Sequence, residues 1–170
     1  LQNWTTPFGV PPFDAIRNEH FVPAFEEGMK RHLAEIDAII NDPAAPTFAN
    51  TIEALESSGA LLTRVSSVFF ALNGANTDEG KEAIAQKMAP KLSAHGDSIL
   101  LNDRLFRRVK AVWERKDALG LGPEQAMLLK KTWTDFVRNG ADLTPEKKEE
   151  LKKLNQELST LTVQFGQNLL

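Results

Sequence analysis

Past about residue 20, every strongly periodic stretch of the chain repeats its apolar side chains at intervals of three and four. That spacing places them on one face of a helix, so the chain is constrained to an all-α fold. Phe21, Phe25, Met29, Leu33, Ile36 and Ile40 set the face of a first helix over about 20–41, closed by Asn41-Asp42-Pro43. Thr47 is placed to cap a second, whose stripe runs through Phe48, Ile52 and Leu55, then Leu62, Val65, Phe69 and Leu72. Ser57-Ser58-Gly59 falls inside it and is expected to bend or break it. The run Val65–Phe70 is the best strand candidate, but it sits within a longer helical period.

The third helix starts at Thr77 or Asp78 and faces inward through Ile84, Met88, Leu92 and Ile99, with Pro90 expected to kink it. Asn102 or Asp103 caps a fourth, with Leu105, Phe106, Val109, Val112 and Trp113 inward. Pro123 suits the first turn of a fifth, buried through Leu129, Trp133, Phe136 and Val137. Thr144-Pro145-Glu146 opens the last. Its Leu151, Leu154, Leu158, Leu161 and Phe165 form a narrow seam of the kind that packs along one neighbouring helix. Leu169-Leu170 follow with no capping Gly, Pro or polar tail, so this helix is expected to continue in a longer parent. The fold expected is an antiparallel bundle of about six helices.

Residues 1–19 differ. Pro7, Pro11 and Pro12 deny helix to themselves and to their predecessors. The segment reads as an extended arm, with Trp4, Phe8, Val10 and Phe13 expected to lie on the body formed by residues 20–170. With 170 residues, 42% of them hydrophobic, the chain is long enough for one domain with a sizeable core. No apolar run approaches a membrane span. Leu1 is not an initiator Met, no signal-peptide pattern follows it, and Asn3-Trp4-Thr5 fits a glycosylation sequon with nothing else in support.

Chemistry is thinly supplied. There is no cysteine, which removes disulfides, thiolate zinc sites and thiol nucleophiles together. The three histidines, His20, His32 and His95, lie far apart, and none belongs to a His-Glu-x-x-His pair. His32 and Glu35 are three apart and share a helix face, which reads as a boundary histidine beside a carboxylate. Arg17, Met29 and Leu92 stand three residues before the histidines, where a di-iron bundle requires Glu. Gly120-Leu121-Gly122 lacks a third glycine and follows a helix, so it is a turn and not a dinucleotide loop. Glu26-Glu27 and Glu149-Glu150 are adjacent and read as solvated charge, while Trp113 and Trp133 read as core. No catalytic, cofactor-binding or metal-binding residue is assigned, and no substrate-contacting residue is named.

The formal net charge is −3, unevenly spread. Residues 1–100 carry 7 basic and 13 acidic side chains, and residues 101–140 carry 9 basic and 5 acidic. The basic stretch includes Arg104, Arg107, Arg108, Lys110, Arg115 and Lys116, but acids interrupt it and no nucleic-acid reader motif accompanies it. It reads as a solvated helix face.

Three stretches carry a resemblance. They are Pro11-Pro12-Phe13-Asp14-Ala15-Ile16-Arg17-Asn18-Glu19-His20-Phe21-Val22-Pro23-Ala24-Phe25-Glu26, then Thr47–Glu56 with Arg64–Phe70, then Met88–Leu92 with His95, Leu101-Asn102 and Leu105-Phe106. In this order, with Leu158, Leu161, Phe165 and Asn168 after them, they resemble the N-terminal region of the thimet oligopeptidase-type zinc metallopeptidases, most closely the bacterial peptidyl-dipeptidase branch. The resemblance implies a parent that cleaves short peptides, with a mostly helical clamshell around a narrow channel. It also implies a zinc ion on a His-Glu-x-x-His helix far downstream, and a cytoplasmic or periplasmic location. No catalytic residue of that family maps onto a position of this chain. The expectation is therefore a non-catalytic N-terminal helical domain, channel wall and lid, whose partner is the missing catalytic domain. Short peptides are the substrates of the whole enzyme, no nucleic acid or membrane is involved, and the isolated chain self-associates through residues 145–170. The alternative is a stand-alone helical binding or scaffold module.

Overall fold

The computed structural model describes residues 4–168. The sequon asparagine and the uncapped Leu169-Leu170 end lie outside the described residues. Among those described, all regular structure is helical. The helices are α1 (Phe21–Asn41), α2 (Ala54–Ser57), α3 (Ala60–Ala75), α4 (Glu79–Leu100), α5 (Asp103–Trp113), α6 (Pro123–Arg138) and α7 (Pro145–Asn168). A π turn over Phe48–Glu53 leads into α2. Counting the turn, α2 and α3 as one interrupted helix gives the six expected, in an all-α bundle.

The starts follow local chemistry. Thr47 and Asn50 cap each other reciprocally at 3.1 and 2.7 Å, satisfying two backbone donors that a helix leaves free. Asn102 Oδ1 accepts from the amides of Arg104 and Leu105. Asp78 accepts from the Lys81 amide at 2.8 Å and from Asn18 Nδ2 at 2.9 Å, which ties the end of the arm to α4. The Lys81 side chain and amide, beside Asp78, hold its carboxyl down to about 2. Helix α4 runs on through Pro90 without interruption.

The break before α3 is a true one. Gly59 sits at φ +71°, a conformation that costs an L side chain but not glycine. A Cβ there would also lie 2.8 Å from the His32 ring.

Two apolar cores form, and α1 is the spine of both. Its first half gives Phe21 and Phe25 to a core with Leu62, Val65, Val68, Phe69, Ala85 and Met88. Its second half gives Ile36, Ile39 and Ile40 to a core with Phe48, Ile52, Ile99, Val109, Val112, Leu129 and Phe136. Trp113 and Trp133 stack at 5.5 Å on the edge of the second core, and Phe106 stacks on Trp133 at 5.3 Å.

Three expectations are corrected. Leu33 is not inward but 37% exposed. At that level the inward position of α1 belongs to His32, which faces Ser58 and His95. The arm is coiled into short 3-10 turns at Pro7–Gly9, Phe13–Ala15 and Asn18–His20. These turn Phe8, Val10 and Phe13 out to solvent, whereas Trp4 does pack on the first core, joined there by Ile16. The third correction concerns α7 and bears on the site.

Candidate functional site

Most of the basic stretch is exposed, as a solvated face should be, but three of its arginines reach their own chain. Arg108, buried on α5, donates to the carbonyls of Asp42 and Ala44 at 3.0 and 3.3 Å, and pairs with the Asp42 carboxylate at 3.5 Å. Arg104 donates to Asn41 Oδ1 and Arg115 to the Pro46 carbonyl. A proline-rich link has carbonyls without partners, and these guanidinium forks satisfy them while fixing the exit from α1. These arginines thus serve as clamps on residues 41–46.

Helix α7 lies along α4 with its polar side inward. Lys148 is buried and reaches Asp103 at 2.5 Å and the Leu101 carbonyl at 3.3 Å. Asn155 donates to Asp97 Oδ1 at 2.7 Å, and Gln167 donates to the Glu82 carbonyl at 3.2 Å. The second Asp97 oxygen is buried without a partner, and burial pushes that carboxyl up. The apolar seam read from the sequence points the other way. Leu154, Leu158, Leu161 and Phe165 are between 52 and 67% exposed. Of the expected seam only Leu151 is half-buried, beside the turn at Gly140; the other four face outward. Four large apolar side chains in one row are an interaction surface more often than an accident.

The structure brings together two of the three histidines. His20 is exposed, and its Nδ1 accepts from the Arg17 amide at 3.1 Å. His32 and His95, 63 residues apart, come together with 3.0 Å between His95 Nε2 and His32 Nδ1. The sequence paired His32 with Glu35; the carboxylate instead accepts from the Gly59 amide at 2.7 Å. Among the described residues no group of three or more His, Asp or Glu side chains is arranged to hold a metal ion. The donors present therefore do not fit a catalytic zinc, which takes three protein ligands. A pocket of about 700 Å³ lies beneath the arm, between Trp4, Ile16, Phe21 and Val65, with Arg64 stacked 5.2 Å from the Trp4 ring. Its lining is mostly apolar, with Glu19, His20 and Arg64 as its charged or titratable members. No helix is long and apolar enough to cross a membrane among the described residues.

Comparison with known proteins places this bundle among peptidases. No family model matches the chain. Dipeptidyl carboxypeptidase of Salmonella typhimurium is 46% identical over 164 residues, covering 96% of this chain and 24% of that protein. Dipeptidyl carboxypeptidase of Escherichia coli is 47% identical over 166 residues, covering 98% and 24%. Oligopeptidase A of Escherichia coli is 26% identical over 166 residues, again covering 24% of its length. The chain thus spans about a quarter of the length of these relatives. With such identity along nearly all of its residues, it belongs to the thimet-like peptidase family of the dipeptidyl carboxypeptidases and oligopeptidases A.

Proposed function

We propose that this chain is the non-catalytic N-terminal helical part of a longer zinc metallopeptidase of the dipeptidyl carboxypeptidase type. In this reading the arm of residues 1–19 and the body of residues 20–170 form one unit. That unit makes part of the wall and lid of a channel that admits only short, unstructured peptides. A size-selecting wall needs a well-packed scaffold and no metal ligands of its own, and the two dense cores support that reading. The zinc and its ligands belong to the remaining three quarters of the enzyme, and the cytoplasm is the compartment proposed.

The observation that carries the reading is the exposed seam of α7. A helix that lays its polar side on its own bundle and leaves Leu154, Leu158, Leu161 and Phe165 in water lacks a partner. In this reading the partner is the catalytic domain, within the three quarters of the relatives' length that this chain does not span. The parent reading frame tests this. A His-Glu-x-x-His codon run downstream of codon 170 is expected; a stop codon directly after it would contradict the proposal.

A further inference from the structure

The two cores meet at a polar layer. His32 stands on α1 between Phe25 of one core and Ile36 of the other. His95 stands on α4 between Met88 and Ile99, and Ser58 stands between Ile52 and Leu62 in the interrupted second helix. These three side chains form one hydrogen-bonded chain. Ser58 Oγ donates to the Leu55 carbonyl at 2.7 Å. With its proton so engaged, the hydroxyl can only accept from His32 Nε2, 3.2 Å away. His32 Nδ1 is then the unprotonated nitrogen and accepts from His95 Nε2 at 3.0 Å. Glu35, one turn along α1, holds the Gly59 amide at 2.7 Å, and Gly59 has no Cβ to strike the His32 ring.

We propose that the His95–His32–Ser58 chain is an acid-sensitive latch that fixes the break at Gly59, and with it the two cores, to α1 and α4. The pair holds a single bridging proton. One added proton can go to His95 Nδ1, which leaves the His95 Nε2–H to His32 Nδ1 bond in place, with the Glu35 carboxylate nearby to offset the charge. A second leaves two N–H groups facing each other at 3.0 Å, and the chain breaks. The other charged groups on α4 near the latch are engaged elsewhere. Lys91 pairs with Glu26 at 2.6 Å, and Asp97 is held by Asn155, with Lys152 of α7 acting on Asp97.

The sign follows from burial. Burial lowers His32, against a small opposing pull from Glu35; burial and then the His32 charge lower His95. The folded chain therefore takes up protons less readily than the unfolded one. The joint contributes fully above about pH 6.5, the ordinary histidine value, and is lost progressively as pH falls through it.

The test is hydrogen exchange at the Gly59 amide together with NMR titration of the imidazoles in the intact chain. Between pH 7.5 and 5.0 the Gly59 protection factor is expected to fall by about tenfold. Each ring should report the other's step, as interacting sites do. His95→Gln keeps a donor for His32 Nδ1 but cannot be charged, so it should retain Gly59 protection in acid. Glu35→Gln keeps an acceptor for the Gly59 amide without its charge, and should move the first step to lower pH. Two independent titrations near pH 6.5, or an equal acid loss of Gly59 protection in His95→Gln, would overturn the latch.

Discussion

Phe69→Ala is expected to remove about 3–5 kcal/mol of stability, read as a lowered urea midpoint at unchanged slope. Phe69 is fully buried. Its ring meets Phe21 edge-on at 4.9 Å, Phe25 at 5.4 Å and Phe70 at 5.1 Å. Truncation removes the ring's transfer energy, three aromatic contacts and the filling of a tight space at one step. Folded domains are stable by only about 5–15 kcal/mol, so the loss is a large share of the total. Phe70→Ala is the matched control, because that ring is 46% exposed and its space opens to solvent. It should cost about 1 kcal/mol or less. A loss below about 1 kcal/mol for Phe69→Ala would mean that α1 and α3 are not joined through this cluster.

The second large effect concerns the seam of α7. The isolated chain is expected to self-associate weakly, at concentrations on the order of 0.1–1 mM. Pairing four apolar side chains recovers about 1.5–3 kcal/mol each before the cost of association is subtracted. The double variant Leu158→Glu, Phe165→Glu places two charges in that contact and should weaken association by at least about a hundredfold. Both residues are exposed in the single chain, so its fold should be unaffected. Sedimentation showing a strict monomer over that range, or association that survives the double variant, would contradict an available apolar face.

The seam also shows where sequence reasoning reaches and where it stops. Periodicity showed that Leu154, Leu158, Leu161 and Phe165 share a face, because helical spacing is local. It could not show that the face turns outward. That outcome depends on Lys148 finding Asp103, Asn155 finding Asp97 and Gln167 finding the Glu82 carbonyl, across 45 to 85 residues of chain. Single polar residues at such separations have no period to read. Caps were legible at Thr47, Asn102 and Pro123, because each acts on amides or backbone within a turn of itself. The break at Ser57-Ser58-Gly59 was legible for the same local reason. The meeting of His32 and His95 was not, since it needs α1 and α4 side by side. Glycine at position 59 was the one local trace of that meeting, because the His32 ring occupies the space of its missing Cβ.

Peptidase activity of the isolated chain tests the central claim most directly. The chain is incubated with a blocked tripeptide and added zinc, and released dipeptide is measured against chain concentration. The account predicts no release above the protein-free control at any zinc level. Release that rises in proportion to the chain and disappears with a chelator would contradict it.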